Sequence, residues 1–340
     1  MSAAAPTTAL PPTPFVVGYG TNGLADHRLP EALDLVAGLG YGGVGLTLDH
    51  HHLDPSGDAR DLRRRAAAVG GELRARGLVA VVETGGRYVL DPWRKHWPVL
   101  VGPDGTEGEP GREARVDLLR RAVLAAAALG APVVSFWSGP LPAGSTPEQG
   151  TDRLLRSLAE LVPVAEDAGV RLALEPEPDH HVAVLDDALA VLDALGRPAG
   201  LGLTLDVGHA VANEPRSPGA TVRRAHALAP GALANVQLDD MRPGVHEHLP
   251  FGEGEVDLPD VLAALVEVGY TGLAAVELPR HGHAAPVVAR RSRDALAAAL
   301  STALATTSTS PRTGPTGTPD ADRPSPSPPA TPRPPVEATP

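Results

Sequence analysis

The chain contains no cysteine. That removes disulfides, thiolate-bound zinc, iron–sulfur clusters and thiol nucleophiles, so any metal has to be held by His, carboxylate or amide groups. Lysine is almost missing as well: Lys95 stands alone and every other basic residue is Arg. With aromatics at 3% and Ala, Gly and Pro abundant, this is a bias of coding composition rather than a functional signal. No apolar run approaches the about 18 residues of a membrane span. The start, MSAAAPTTALPPTPF, has neither the basic beginning nor the apolar stretch of a secretory signal. A soluble cytoplasmic protein with no membrane partner is expected. Positive charge is in deficit too, the formal net charge being −12. Proteins that grip a phosphate backbone usually present a basic surface, so no nucleic-acid partner is expected, and a small polar substrate held by a metal fits better.

What is present is enough apolar residue, 42% of 340, to bury one large core or two ordinary ones. From residue 306 the chain turns to Pro, Ser and Thr with almost no aliphatic residue; such a segment cannot offset its ordering entropy, and 306–340 reads as a disordered tail. Residues 1–14 read as a flexible N-terminal segment. Between 15 and 305, eight short apolar runs recur: FVVGYG, GVGLTLD, LVAVVETG, PVVSFWSG, VRLALEPE, LGLTLDVGH, LANVQLDD and LAAVELPRH. Stretches with helical spacing separate them, several opening on Asp, Ser or Thr and closing on Gly. This is the rhythm of a (β/α)8 TIM barrel of α/β class. A doubly wound sheet is the alternative, but no run is followed by a Gly-rich phosphate loop.

In such a barrel the C-terminal strand ends surround the active site. They carry Glu83, Trp137, Glu175, Glu177, Asp206, His209, Gln237, Asp239, Asp240, Glu277, Arg280 and His281. A lone Asp after a strand, such as Asp206 ahead of His209, is more often a helix cap than a ligand. Four successive runs, however, end in Glu175, Asp206, Gln237 and Glu277. Neighbouring strands would bring these oxygens to one point at equal depth, and carboxylates that close repel unless a divalent cation sits between them. Oxygen donors suit Mg²⁺ or Mn²⁺, with Zn²⁺ or Co²⁺ as alternatives.

LALEPEP, LTLDVGH, NVQLDD with HEHLPFGEGEVDL, and AAVELPRH resemble the xylose-isomerase-like TIM-barrel superfamily, which includes sugar phosphate isomerases and epimerases, hydroxypyruvate isomerase, inosose dehydratase, ketose 3-epimerases and endonuclease IV. The resemblance implies that Glu175, Asp206, Gln237 and Glu277 bind one divalent metal ion. Most epimerase-like members have His at the third place; Gln there is similar to the hydroxypyruvate isomerase branch, although the loop carrying His248 is longer here.

The resemblance further implies a sugar or keto-acid isomerase or epimerase that moves a proton next to a carbonyl through a metal-stabilised enediolate, with Glu175 and Glu277 as the acid–base pair. His209, His248, Arg280, Glu83, Trp137 and His50 are the candidate substrate-binding residues, Arg280 suiting a carboxylate or phosphate. In LTLDHHHLDP the three histidines point in different directions, so His50 is assigned to the rim. DHH at 179–181 is expected to open a helix with Asp179 as its cap. RYVLDPWRKHWPVL is long for a βα loop and is a candidate lid. The partner is then a small sugar, polyol or keto acid, with self-association left open. Three other readings remain: an inosose-type dehydratase on the same site, a non-catalytic binding barrel, and an endonuclease IV-like repair enzyme, the last opposed by the acidic charge.

Overall fold

The computed structural model describes residues 9–309; of the segment expected to be disordered, 306–340, residues 310–340 lie outside the described residues, as do residues 1–8. Eight parallel strands close into a barrel: β1 (Val16–Gly20), β2 (Gly43–Thr47), β3 (Val79–Glu83), β4 (Val133–Trp137), β5 (Arg171–Glu175), β6 (Leu201–Asp206), β7 (Leu233–Leu238) and β10 (Leu273–Val276). Each of the eight apolar runs forms one of them. The connecting helices are α1 (Leu29–Gly38), α2 (Ala59–Ala75), α3 (Arg112–Leu129), α4 (Pro147–Asp167), α5 (Leu185–Ala194), α6 (Val207–Asn213), α7 (Pro218–Leu228), α8 (Leu258–Glu267) and α9 (Ala285–Thr309). α9 runs four residues past the boundary expected at 305, so residues 306–309 of the segment expected to be disordered are helical. No described helix is long and apolar enough to cross a membrane.

Alternation along each strand sorts side chains to two destinations. Val44, Leu46, Val82, Val134, Phe136, Leu172, Leu174, Leu203, Val236 and Leu238 join the large core between barrel and helices. Val81, Val133, Ala173, Leu273 and Ala275 form a separate small cluster. These five share the inward parity of Glu83, Glu175, Gln237 and Glu277, so the barrel interior is apolar below and polar at the C-terminal mouth. Crowding at the apolar floor is tight: a Cβ on Gly43 would meet Leu273 Cδ1 at 2.7 Å and Val79 Cγ2 at 2.8 Å.

Asp58, Thr146, Ser217 and Asp257 cap α2, α4, α7 and α8 through their side chains, as Asp, Ser and Thr do at helix starts. Asp179 does not cap α5. It takes a left-handed φ of +66° in a turn, and the helix starts at Leu185, with Asp187 accepting from the backbone N–H groups of Ala183 and Val184 at 3.0 and 3.2 Å. A short Asx-rich turn competes with helix there and prevails.

One element stands outside the eight-fold rhythm. β8 (Asp240–Arg242) and β9 (Val245–Leu249) make an antiparallel hairpin after β7, turning at Pro243-Gly244, where Gly244 has φ +70°. Asp240, at the start of the hairpin, ties it to the segment that follows. Its carboxylate accepts backbone N–H bonds from Met241, Gly252, Gly254 and Val256 at 3.1, 2.8, 3.0 and 2.8 Å.

Candidate metal and substrate site

A cavity of about 590 Å³ opens at the C-terminal mouth of the barrel. Its wall includes Glu83, Trp137, Glu175, His209, Gln237, His248 and Glu277, with His50 and Arg280 at the mouth. Asp206, 3% exposed, lies in the floor beneath them, and its carboxylate is within 4.8 Å of those of Glu175 and the ring of His209. All ten residues singled out from the sequence are therefore in one place. Asp206 pairs with Gln237, but Gln237 pairs with Ala275, two residues before Glu277. This stagger is the register offset that closing a tilted barrel requires.

Asp206 is both a helix cap and a site residue. Its Oδ1 accepts the backbone N–H of His209 at 2.9 Å, while its buried Oδ2 has no hydrogen-bond partner in the protein. The same division recurs on the neighbouring strands. Glu277 Oε1 accepts from Asn22 Nδ2 at 2.8 Å and leaves Oε2 unpaired; Gln237 Nε2 donates to Glu83 Oε2 at 3.4 Å and leaves Oε1 unpaired. Buried polar atoms are nearly always paired. Three orphaned oxygens on adjacent strands are donors of the kind that suits a hard divalent cation, and Glu175 has a carboxylate oxygen within 4.8 Å of one on Asp206.

The electrostatics match. Burial pushes Glu175 up to about 8, with Glu177 and Asp206 adding repulsion against the opposing pull of His209. Burial likewise raises Glu83 to about 7, Glu177 to about 7 and Glu277 well above the usual carboxylate range. Asp206 and Asp239 divide: both are buried, but His209 and His248 hold Asp206 low, whereas repulsion from Asp206 adds to burial in raising Asp239. Burial works against the charge on His209, yet Asp206, Glu175 and Glu177 outweigh it and raise the ring to about 10. His209 Nδ1 lies 3.3 Å from Glu175 Oε1, and its Nε2 lies 3.1 Å from Nε2 of His246, which burial and the charge of His209 push down to about 4.

Several contributors were missed or undervalued in the sequence. His246 and His248 face the cavity from β9, and with His209 their ring nitrogens lie within 4.8 Å of one another, a second group able to hold a metal. His248 Nδ1 is 2.6 Å from Asp239 Oδ2. Glu177 sits between His180 and His246, at 3.3 and 3.9 Å. Asn22, on the 3₁₀ turn Thr21–Leu24 after β1, carried no signal beyond its position behind a strand. The Pro-Gly turn was the only hint of the hairpin.

The remaining candidates find simpler places. Arg280 is 55% exposed and donates to Glu247 Oε1 at 3.0 Å; His50 is exposed, with Nδ1 3.4 Å from Asp54. His51 lines the mouth, and His52 turns away into the core, its Nε2 3.2 Å from the carbonyl of His27. The candidate lid, 87–100, contributes Arg87, Tyr88, Val89, Lys95 and His96 to the wall. It is pinned from below by buried Arg115, which donates to the carbonyls of Pro98 and His96 at 2.9 and 2.7 Å and stacks its guanidinium 4.5 Å from the Trp137 ring.

A parallel barrel with a carboxylate-lined mouth places the chain in a broad fold class, and sequence comparison narrows it. Residues 33–299 match the model of the xylose isomerase-like TIM barrel family, and the chain belongs to that family. Over 235 residues it is 27% identical to the L-ribulose-5-phosphate 3-epimerase of Salmonella paratyphi C, covering 68% of this chain and 78% of that one. Over 170 residues it is 29% identical to an uncharacterized protein of Methanocaldococcus jannaschii, covering 49% of this chain; the match spans 57% of that relative's length. Among solved structures, an L-ribulose 3-epimerase superposes with a TM-score of 0.67 at 18% identity, covering 88% of this chain and 100% of the other.

Proposed function

We propose that the protein is a divalent-metal-dependent sugar epimerase that inverts a carbon next to a carbonyl by removing and returning its proton. The observation that carries this reading is the set of three unpaired buried oxygens, on Asp206, Gln237 and Glu277, next to Glu175. The similarity to an L-ribulose-5-phosphate 3-epimerase supports epimerisation over the other reactions of the superfamily. Mn²⁺ or Mg²⁺ suits these oxygens best. When bound, the cation stabilises the charge that grows on the substrate's carbonyl and hydroxyl oxygens.

The protein's own groups supply the rest. Glu175 and Glu277 stand on strands separated by β6 and β7, so they flank the cavity from two directions. Each is held through one oxygen, Glu175 beside His209 and Glu277 by Asn22, which fixes the carboxyl plane without consuming the second oxygen. One removes the proton and the other returns it to the opposite face; the raised affinity of both for protons suits groups that must change state near neutral pH. His209, charged, and His248 are placed to hold substrate oxygens, Trp137 gives an apolar wall, and Arg87, Lys95 and Arg280 favour a phosphate or carboxylate at the open end.

The test is solvent hydrogen exchange. Stripped protein is reloaded with Mn²⁺ and incubated in deuterium oxide with a panel of ketoses, ketose phosphates, keto acids and inososes. Deuterium should enter at the carbon next to the carbonyl of a ketose or its phosphate, only with metal present, and the epimer should appear. Loss of water from an inosose instead would move the assignment to a dehydratase. Absence of exchange from every ketose and ketose phosphate would overturn the reading.

A further inference from the structure

Gln237 presents a problem that the three carboxylate positions of the site do not. A carboxylate offers oxygen whichever way it turns, whereas a carboxamide offers oxygen on one side and an NH₂ group, useless as a ligand, on the other. Something must decide which side faces the cation. We infer that Glu83 is the positioning residue that makes this choice, by accepting the Gln237 NH₂ and so committing Gln237 Oε1 to the metal.

The geometry is specific. β3 and β7 are diametrically opposed in the closed barrel, so Glu83 reaches across the lumen to Gln237. One of its oxygens, Oε2, accepts from Gln237 Nε2 at 3.4 Å; the other, Oε1, accepts from Asn235 Nδ2 at 3.0 Å. Asn235 lies two residues earlier on β7 with the same inward parity. Glu83 is 8% exposed, Asn235 0% and Gln237 4%, so water has little access to replace either bond. When its carboxyl is ionised, Glu83 only accepts, so a flipped Gln237 would then put oxygen against oxygen in a poorly screened interior. Gln237 Oε1 is consequently left unpaired, as are Asp206 Oδ2 and Glu277 Oε2 on the two neighbouring strands.

The inference rests on the metal reading above, and the experiment separates the two. Mn²⁺ affinity is measured by calorimetry for wild type, Glu83→Leu, Gln237→Ala and the double variant, with melting temperatures taken alongside. If Glu83 acts through the amide, Glu83→Leu lowers affinity roughly 10- to 100-fold in the wild-type background, the usual effect of losing an outer-sphere partner, and less than about 3-fold when residue 237 is already Ala. Equal losses in both backgrounds would mean that Glu83 acts by its charge alone, and no loss in either would mean that it does not act; both overturn the inference while leaving the metal site standing. Should Glu83→Leu fail to fold, Glu83→Gln decides. Its amide oxygen can keep the Gln237 bond while its NH₂ turns to Asn235 Oδ1, which is unpaired in the present structure, so affinity should stay within about 5-fold of wild type. A loss as large as that of Asp206→Ala would refute it. Wild type that takes up no Mn²⁺ removes the metal reading itself, and this inference with it.

Discussion

Raising the pH should tighten cation binding steeply, because the site stores protons where it needs negative charge. In the metal-free protein Glu175 is pushed up to about 8, so at pH 6 it holds a proton that a cation must displace, and burial shifts Glu277 in the same direction. Displacing one proton makes affinity rise tenfold per pH unit, so binding should strengthen by about 10²-fold between pH 6 and 8, and more if Glu277 releases its proton in the same window. The stability of the metal-free protein carries the opposite sign. A carboxyl whose folded value exceeds its ordinary 4.5 contributes stability that is complete below about 4.5 and is lost as pH rises through 7 to 8. The histidines act oppositely: burial lowers His96, His180 and His248 to about 3, so their contribution is complete above 6.5 and is lost as pH falls towards 3. Metal-free protein should therefore melt highest between about pH 4.5 and 6.5, and the melting-temperature gain from Mn²⁺ should grow from pH 6 to 8. Calorimetric titrations in two buffers of different ionisation enthalpy count the protons released. An affinity that changes less than threefold over this range, with buffer-independent heat, would refute the reasoning.

Glu175→Gln and Glu277→Gln each keep an oxygen for the cation but lose the proton site, so solvent exchange should fall at least about 10²-fold while Mn²⁺ still binds; exchange at the wild-type rate in either would remove that residue from the proton transfer. Arg115→Met strands two buried carbonyls and exposes Trp137 to a looser loop, which should cost about 2–4 kcal/mol in denaturant unfolding and raise KM more than it lowers kcat. Asp240→Ala should cost about 3 kcal/mol and speed hydrogen exchange at the amides of Gly252, Gly254 and Val256, with unchanged protection on β5. Truncation after residue 309 should leave the melting temperature within about a degree, since the Pro, Ser and Thr beyond it have little to bury.

The barrel was legible because each strand announces itself twice, by its apolar run and by the Gly or cap residue beside it. The ligand candidates were legible for a related reason: Glu175 and Glu277 each follow an apolar inward residue, Ala173 and Ala275, at the open end of the barrel. What could not be read was set by tertiary distance. Glu83 and Gln237 are 154 residues apart, and nothing local to either predicts their bond. The hairpin was obscured because three- and five-residue strands bearing Arg, His and Glu lack an apolar pattern. Asp179 misled because Asp serves equally well in a turn and at a cap.

The attachment of the hairpin has a consequence for how such a barrel diversifies. Its histidines and its Glu247–Arg280 contact hang from one anchoring carboxylate, whereas Glu175, Asp206, Gln237 and Glu277 belong to the barrel itself. Met241 O would lie 2.3 Å from a Cβ on Gly254, so the segment closing back onto the anchor is nearly fixed in shape, whereas Gly244 at the tip of the hairpin has open space around it. An insertion or exchange at that tip would alter the hairpin while the positions of Glu175, Asp206, Gln237 and Glu277 stay in register. The part of the mouth built by the hairpin can thus vary independently of the part built by the barrel strands.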